Sequence, residues 1–259
     1  MHRTIQLSFH HYGSFNMRRA INKIYNSICR RKIARTLPSI MKELDDYKKL
    51  SDTTGTQWIT LWYAVSGILK HKPSLILESG TGSSTLVLAA TVKKLMHEDP
   101  KYTGQITSME SIKEWYEIAA QNLPEQYKDV AEIVYGPREE FSFGMFRGLI
   151  HGNIPHRNYD FVFLDGPSFK DEKGMSFCAD VFKVMEFSKA SQINGVIDGR
   201  RSAAYVIQSM FGSSAARYYH SMFASRFTIP NVDLKKSEPK HDFSTNIFGK
   251  LTFCLYRRP

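Results

Sequence analysis

Between residues 74 and 210 the chain alternates between short apolar runs and longer stretches whose apolar positions recur every three to four residues. Short runs bounded by Gly, Pro or Asp predict buried strands, and the 3.6-residue period predicts helices. The pattern gives a strand at 74–79 and a helix at 84–95, then a strand at 105–109 and a helix at 113–122. It continues with strands at 131–135 and 159–164, a helix near 177–189, a strand at 195–197 and a helix at 202–210. Repeated units of this length predict a parallel sheet with helices on both faces and right-handed crossovers. The end differs: 226–229 and 250–257 predict strands separated by a polar loop with no helix, an arrangement that favours antiparallel pairing.

Before residue 74 the pattern is helical. Ile21, Ile24, Tyr25 and Ile28 share one face of a helix over 17–33, opposite its arginines. Pro38 opens a second helix reaching residue 50, with Ile40, Met41, Leu44 and Tyr47 as its buried stripe. A third, capped by Thr54 or Thr56, reaches residue 69. Its stripe of Trp58, Leu61, Trp62 and Val65 reads as core, the alternative being a lid over a ligand pocket. Residues 1–16, with no clear period, are expected to be loosely held. The division expected is a basic helical extension over 1–53 followed by an α/β domain over 54–259.

Composition changes this picture little, with 42% hydrophobic and 23% charged residues being ordinary for a globular chain. No apolar run approaches the roughly 18 residues of a membrane span. Cys29, Cys178 and Cys254 have no metal or redox spacing, which favours a reducing compartment. Charge is more telling. Residues 1–42 hold nine Lys and Arg and no acid, while the rest of the chain is nearly neutral, with 26 bases against 25 acids. Three readings of that arm stay open: a solvated basic helix, a contact surface for nucleic acid or an anionic membrane, and a mitochondrial targeting segment. Localisation is therefore read as cytoplasmic, with mitochondrial as the alternative. Oligomeric state is open.

The candidate chemistry gathers at strand ends. Glu78-Ser79-Gly80-Thr81-Gly82-Ser83-Ser84 joins the first strand to its helix, and glycines in such a turn let a ligand approach the backbone. The free N–H groups of the helix start can then hold a polar group. Glu78 is expected to face the place where a dinucleotide puts its pyrophosphate, so a cofactor carrying positive charge is expected instead. Glu110-Ser111 ends the second strand, where a carboxylate can accept both hydroxyl protons of a ribose. Gly136, Asp165-Gly166 and Asp198 end the next three strands. His151 and His156 precede the fourth strand, which assigns them to the opposite edge and to structural or solvated roles. His241-Asp242 is a remote candidate for substrate contact.

Together, Glu78-Ser-Gly-Thr-Gly-Ser, Thr107-Ser-Met-Glu110 and Tyr159-Asp-Phe-Val-Phe-Leu-Asp165-Gly-Pro resemble the class I S-adenosylmethionine-dependent methyltransferases over roughly residues 74–257. The resemblance implies a Rossmann-like, doubly wound, mostly parallel seven-stranded sheet with an antiparallel last strand. It implies that residues 80–84 hold the methionine part of S-adenosylmethionine, that Glu110 holds the ribose and that residues around Gly136 border the adenine. The cofactor-binding set expected is Glu78, Ser79, Gly80, Thr81, Gly82, Ser84, Glu110, Ser111, Gly136, Asp165 and Gly166.

Asp165 and Asp198 also look somewhat like the acids of metal-dependent O-methyltransferases. Gly199 stands where that group has an Asn ligand, so Mg²⁺ is a less favoured option and no metal ligands are assigned. No (Asp/Asn)-Pro-Pro-(Tyr/Phe) sequence follows the fourth strand, which argues against methylation of base amino groups. Asp165 and Asp198 are the catalytic candidates, for positioning and proton acceptance. Ser168, Lys170 and Arg200 are the substrate-binding candidates. The expected function is methyl transfer to a small molecule, perhaps at oxygen. The alternatives are an RNA or other macromolecular methyltransferase using the basic arm and an NAD(P)-dependent oxidoreductase. The last is disfavoured because Thr85 replaces the third fingerprint glycine.

Overall fold

The computed structural model describes residues 2–50, 57–144, 146–219 and 223–234. Three helices lead: α1 (His2–Thr36), α2 (Ile40–Leu50) and α3 (Trp58–His71). The alternating part follows as β1 (Leu75–Ser79), α4 (Ser83–Glu98), β2 (Gln105–Glu110), α5 (Lys113–Asn122) and β3 (Ala131–Tyr135). Next come β4 (Arg138–Phe143), β5 (Phe146–His151), β6 (Phe161–Leu164), β7 (Lys170–Asp171), β8 (Gly174–Met175) and β9 (Phe177–Cys178). The chain closes through α6 (Asp180–Met185), β10 (Gln192–Ile197), α7 (Arg201–Phe211), β11 (Ala216–Tyr219) and β12 (Ala224–Pro230).

Seven strands form the main sheet in the order β11-β12-β10-β6-β1-β2-β3. β1 lies between β6 and β2, parallel to both, with Leu77 opposite Val162 and Thr107. Chain order reverses there, which makes the β1/β6 edge the switch point where such sheets bind ligands. β12 alone runs antiparallel to its neighbours β10 and β11.

Alternation along the strands divides the core into two layers. Ile76, Ile106, Phe161, Phe163 and Val196 face α1–α4. Leu77, Val162, Leu164, Ile193 and Ile197 face α6 and α7. Full burial of such a side chain contributes roughly 1.5–3 kcal/mol before entropy is counted.

α1 belongs to the first of these layers, because Cys29 and Ile33 are buried in the same cluster as Ile59, Tyr63 and Leu88. Asn26 Oδ1 accepts the Ile59 N–H at 3.3 Å, so α1 caps the start of α3. Thr54 and Thr56, the caps expected from sequence, lie outside the described residues, and the residue before α3 is Gln57. α1 is one continuous helix rather than a loose start followed by a helix. No proline interrupts it, and extending a nucleated helix costs little.

Two regions depart from the sequence pattern. The crossover from β3 to β6 carries no helix; it is a hairpin, β4–β5, which pairs with β9 in a second sheet of order β4-β5-β9. The hairpin reverses next to Gly144 at φ +54°, between the paired Phe143 and Phe146. At the end, the partner of β12 is β11, a strand the pattern did not predict, while the strand expected over 250–257 lies outside the described residues. Among the described residues no helix is long and apolar enough to cross a membrane.

Candidate active site

The carboxyl ends of β1, β2, β6 and β10 open into a cleft of about 1010 Å³. Gly80, Thr81, Gly82, Ser84, Glu110, Ser111, Asp165, Gly166, Ser168, Asp198 and Arg200 line it, as expected from their positions after strands. Four expected residues do not. Glu78 and Ser79 are buried beneath the turn. Gly136 packs instead against the Gly152 carbonyl and Met109, with space for no side chain. Lys170 is exposed on β7, outside the cleft wall.

The turn after β1 is held by backbone and by one hydroxyl. Gly80 N–H donates to Met109 O at 3.0 Å, and its φ of +95° suits glycine. A Cβ there would sit 3.0 Å from the Asp165 carbonyl carbon and oxygen, so the turns after β1 and β6 touch only because residue 80 has no side chain. Thr85 Oγ1 donates to Glu78 Oε2 at 2.7 Å and accepts the Gly82 N–H at 3.2 Å.

Glu78 therefore does not face the ligand space, contrary to the reading from sequence. Burial raises its pKa to about 7, against the opposing pull of the Ser108, Ser84 and Thr85 hydroxyls. Its Oε1 has no hydrogen-bond partner among the described residues.

Glu110 is buried, and its Oε1 accepts the Ile112 N–H at 2.8 Å at the start of α5. From there the wall is apolar: Ile112, Trp115 and Ile118 line the cleft while 44%, 55% and 36% exposed. The sequence pattern singles out none of these three residues.

Asp165 and Asp198 continue the β-ladders, through Asp165 N–H to Ser79 O at 2.9 Å and Asp198 N–H to Leu164 O at 3.1 Å. Arg200 locks their side chains together. Its Nη1 lies 3.0 Å from Asp165 Oδ1 and also pairs with Asp198 Oδ2, while Nη2 donates to the Asp165 carbonyl. Nε reaches Cys178 Sγ at 2.9 Å. Burial raises the Asp198 carboxyl to about 7, helped by the Asp165 charge and opposed by Arg200. Burial disfavours the Arg200 cation, but the neighbouring Asp198 and Asp165 outweigh it and hold the guanidinium charged. Burial keeps the Cys178 thiol neutral, pushed up to about 12. Among the described residues no group of three or more His, Cys, Asp or Glu side chains is placed to hold a metal ion.

His151 is the main correction. The β4–β5 hairpin returns the chain to the carboxyl edge, so His151, at the end of β5, lines the cleft. His156 does not, and stacks on Phe187 with ring centroids 4.4 Å apart. His241 and Asp242 lie outside the described residues.

The basic arm shows mixed use. Arg30 and Lys32 sit over the Trp58 and Trp62 rings at 5.6 and 5.3 Å, whereas Lys23, Arg31, Arg35 and Lys42 are exposed.

No protein-family model and no curated protein sequence matches this chain. Among solved structures, the chain is similar to an S-adenosylhomocysteine-bound methyltransferase of Podospora anserina, at 16% identity and TM-score 0.42, over 62% of each chain. A putative class I S-adenosylmethionine-dependent methyltransferase of Listeria monocytogenes is similar at 13% identity and TM-score 0.44, over 81% of this chain and 71% of that one. A putative protein-L-isoaspartate O-methyltransferase of Plasmodium falciparum, in complex with S-adenosyl-L-homocysteine, follows at 10% identity and TM-score 0.35, over 57% and 62% of the two chains. Strand order and register, not these partial overlaps, define the fold.

Proposed function

We propose that this chain transfers a methyl group from S-adenosylmethionine to a small hydroxylated acceptor. The observation that carries the reading is the charge of the cleft. A glycine turn of the nucleotide-binding kind opens onto Glu110, Asp165 and Asp198, while the deepest base, Arg200, is committed to the two aspartates. Lys49, at the rim, pairs with Asp46. Among the described residues both bases at the cleft are paired with acids, which disfavours a pyrophosphate and suits a ligand carrying ammonium and sulfonium groups.

In this reading the 80–84 turn and the start of α4 hold the amino-acid end of the cofactor, Glu110 holds the ribose hydroxyls and Ile112 and Trp115 flank the base. The bare Gly80 backbone at the cleft wall is a feature such a ligand fits. Bound there, S-adenosylmethionine supplies an electrophilic methyl group on sulfur. The protein's own part is alignment and exclusion of water, with Asp165, Asp198 and Arg200 as a rigid charged wall that orients the acceptor beside Ser168. The cleft volume is at the top of the usual ligand-pocket range, which leaves space for a second small molecule. The buried free thiols of Cys29 and Cys178 suit a reducing compartment, the cytoplasm.

The test is incubation with methyl-labelled S-adenosylmethionine and a panel of phenol, catechol, small hydroxy acids and RNA, with EDTA or Mg²⁺. Label in at least one hydroxylated small molecule is the expected result. Label in RNA alone, lost when the exposed bases of α1 are changed to Ser, overturns the small-molecule assignment.

A further inference from the structure

A buried pair, His151 with Asp180, ties the cleft lining to α6. His151 is 1% exposed and Asp180, the first residue of α6, is 0% exposed. Asp180 Oδ1 accepts the backbone N–H of His151 at 2.8 Å, and Oδ2 lies 2.6 Å from His151 Nδ1. A carboxylate can only accept, so Nδ1 carries a proton, and in the neutral ring Nε2 keeps a lone pair. That Nε2 is buried and has no hydrogen-bond partner among the described residues.

Gly166 explains how such a ring stays usable. A Cβ at 166 would come within 3.0 Å of His151 Cε1, beside Nε2, and within 2.8 Å of Gly80 N. Any side chain there would cover the imidazole edge and wedge the two turns apart. With glycine, the ring reaches the floor of the cleft between the 80–84 turn and the Asp165 strand end. An orphaned acceptor is costly in a buried place, and a ligand that donates a hydrogen bond removes that cost.

Resting on the methyl-transfer reading, we propose that His151 Nε2 takes the proton of the acceptor hydroxyl and that Asp180 is its positioning residue. The O–H bond breaks, its electron pair stays on the acceptor oxygen, and the proton forms a new N–H bond at Nε2. The resulting imidazolium is held by the Asp180 carboxylate through Nδ1. Arg200 already engages the side chains of Asp165 and Asp198, which assigns them to the charged wall of the cleft.

Asp180→Asn is the informative variant. Its Oδ1 keeps the backbone N–H of His151, so its NH₂ group must face Nδ1, which then accepts and forces the proton onto Nε2. The hydrogen-bonded pair is kept, while the lone pair on Nε2 is lost. Two readouts are taken on the wild type, D180N and His151→Gln. The first is the ¹⁵N spectrum of histidine-labelled protein; the second is S-adenosylhomocysteine affinity alongside kcat with catechol as the acceptor.

The expected result is an unprotonated Nε2 in the wild type and a protonated one in D180N. Both variants should lose about 10²-fold or more in kcat, the usual share of a positioned proton acceptor, with S-adenosylhomocysteine affinity within about twofold of wild type. If His151→Gln does not fold, D180N alone carries the kinetic comparison. An Nε2 already protonated in the wild type overturns the proposal, as does a loss of cofactor affinity that accounts for the lost rate. Unchanged kcat in the variants, where the wild type binds cofactor and methylates catechol, overturns the proton assignment alone. A wild type that binds no S-adenosylhomocysteine overturns the methyl-transfer reading beneath it.

Discussion

Thr85 Oγ1 donates to Glu78 Oε2 at 2.7 Å, so the first turn of α4 is tied to the last turnward residue of β1 beneath the glycine loop. A threonine thus stands where a dinucleotide-binding turn would have glycine, and its hydroxyl does what close helix–strand packing does there: it fixes how α4 meets the sheet. The Glu78 carboxyl is part of the loop's foundation rather than of the ligand surface.

Replacing Thr85 by Val removes this donor while keeping shape. Glu78 then loses the 2.7 Å hydrogen bond at Oε2 in a fully buried place. A cost of about 1–3 kcal/mol is expected, the usual penalty of a stranded buried polar group, read from urea unfolding midpoints. Thr85→Ser should recover most of it.

Stability should also depend on pH through Glu78. Its folded-state pKa, about 7, lies above the ordinary value of 4.5, so the folded protein holds a proton that the unfolded chain releases. Its contribution is fully present below about pH 4 and is lost as pH rises through 7. Asp198, raised from 3.8 to about 7, acts in the same direction. Glu78→Gln keeps a neutral side chain at every pH. Relative to wild type, its unfolding midpoint should therefore rise between pH 5 and 8; a difference that stays flat, or falls, contradicts the assignment.

Arg200→Met strands two carboxylates that now share one guanidinium. Removing one partner of a buried ionic cluster typically costs about 3–5 kcal/mol, and denaturant unfolding at pH 8 should show it. Adding Asp198→Asn to the same chain should restore a measurable part, because it removes one of the uncompensated charges. Equal losses in the single and double variants would refute the coupling.

Gly80→Ala tests the contact between the turns. The left-handed φ and the 3.0 Å approach to the Asp165 backbone both oppose a methyl group. Backbone strain of about 1–3 kcal/mol is expected, with S-adenosylhomocysteine binding weakened about tenfold or more as the turn shifts.

Much of this was readable from residue pattern. The helix over Lys113–Asn122 and the strand over Ala131–Tyr135 match the periodicity end to end, because each is bounded by clear polar or turn residues. Positions after strands pointed to Glu110, Asp165 and Asp198 because a parallel sheet brings its carboxyl ends to one edge whatever its loops do. The β4–β5 hairpin was missed, although Phe141-Ser-Phe-Gly-Met-Phe146 carries alternation around a glycine. Assuming a plain crossover there sent His151 to the wrong edge, and no local spacing links it to Asp180, 29 residues away. Likewise, nothing in the Glu78 neighbourhood tells whether its side chain points up into a cleft or down into α4; the answer depends on Thr85 and Ser108, which meet it only in three dimensions.

The central claim is that an acidic cleft at the β1/β6 edge holds a cationic, phosphate-free cofactor. Calorimetric titration of the wild type and Glu110→Gln with S-adenosylhomocysteine and with NADH tests it most directly. The account predicts one-to-one S-adenosylhomocysteine binding to wild type, weakened about 10- to 100-fold in the variant through loss of a charged hydrogen bond, and no NADH binding to either. NADH binding without S-adenosylhomocysteine binding would contradict it.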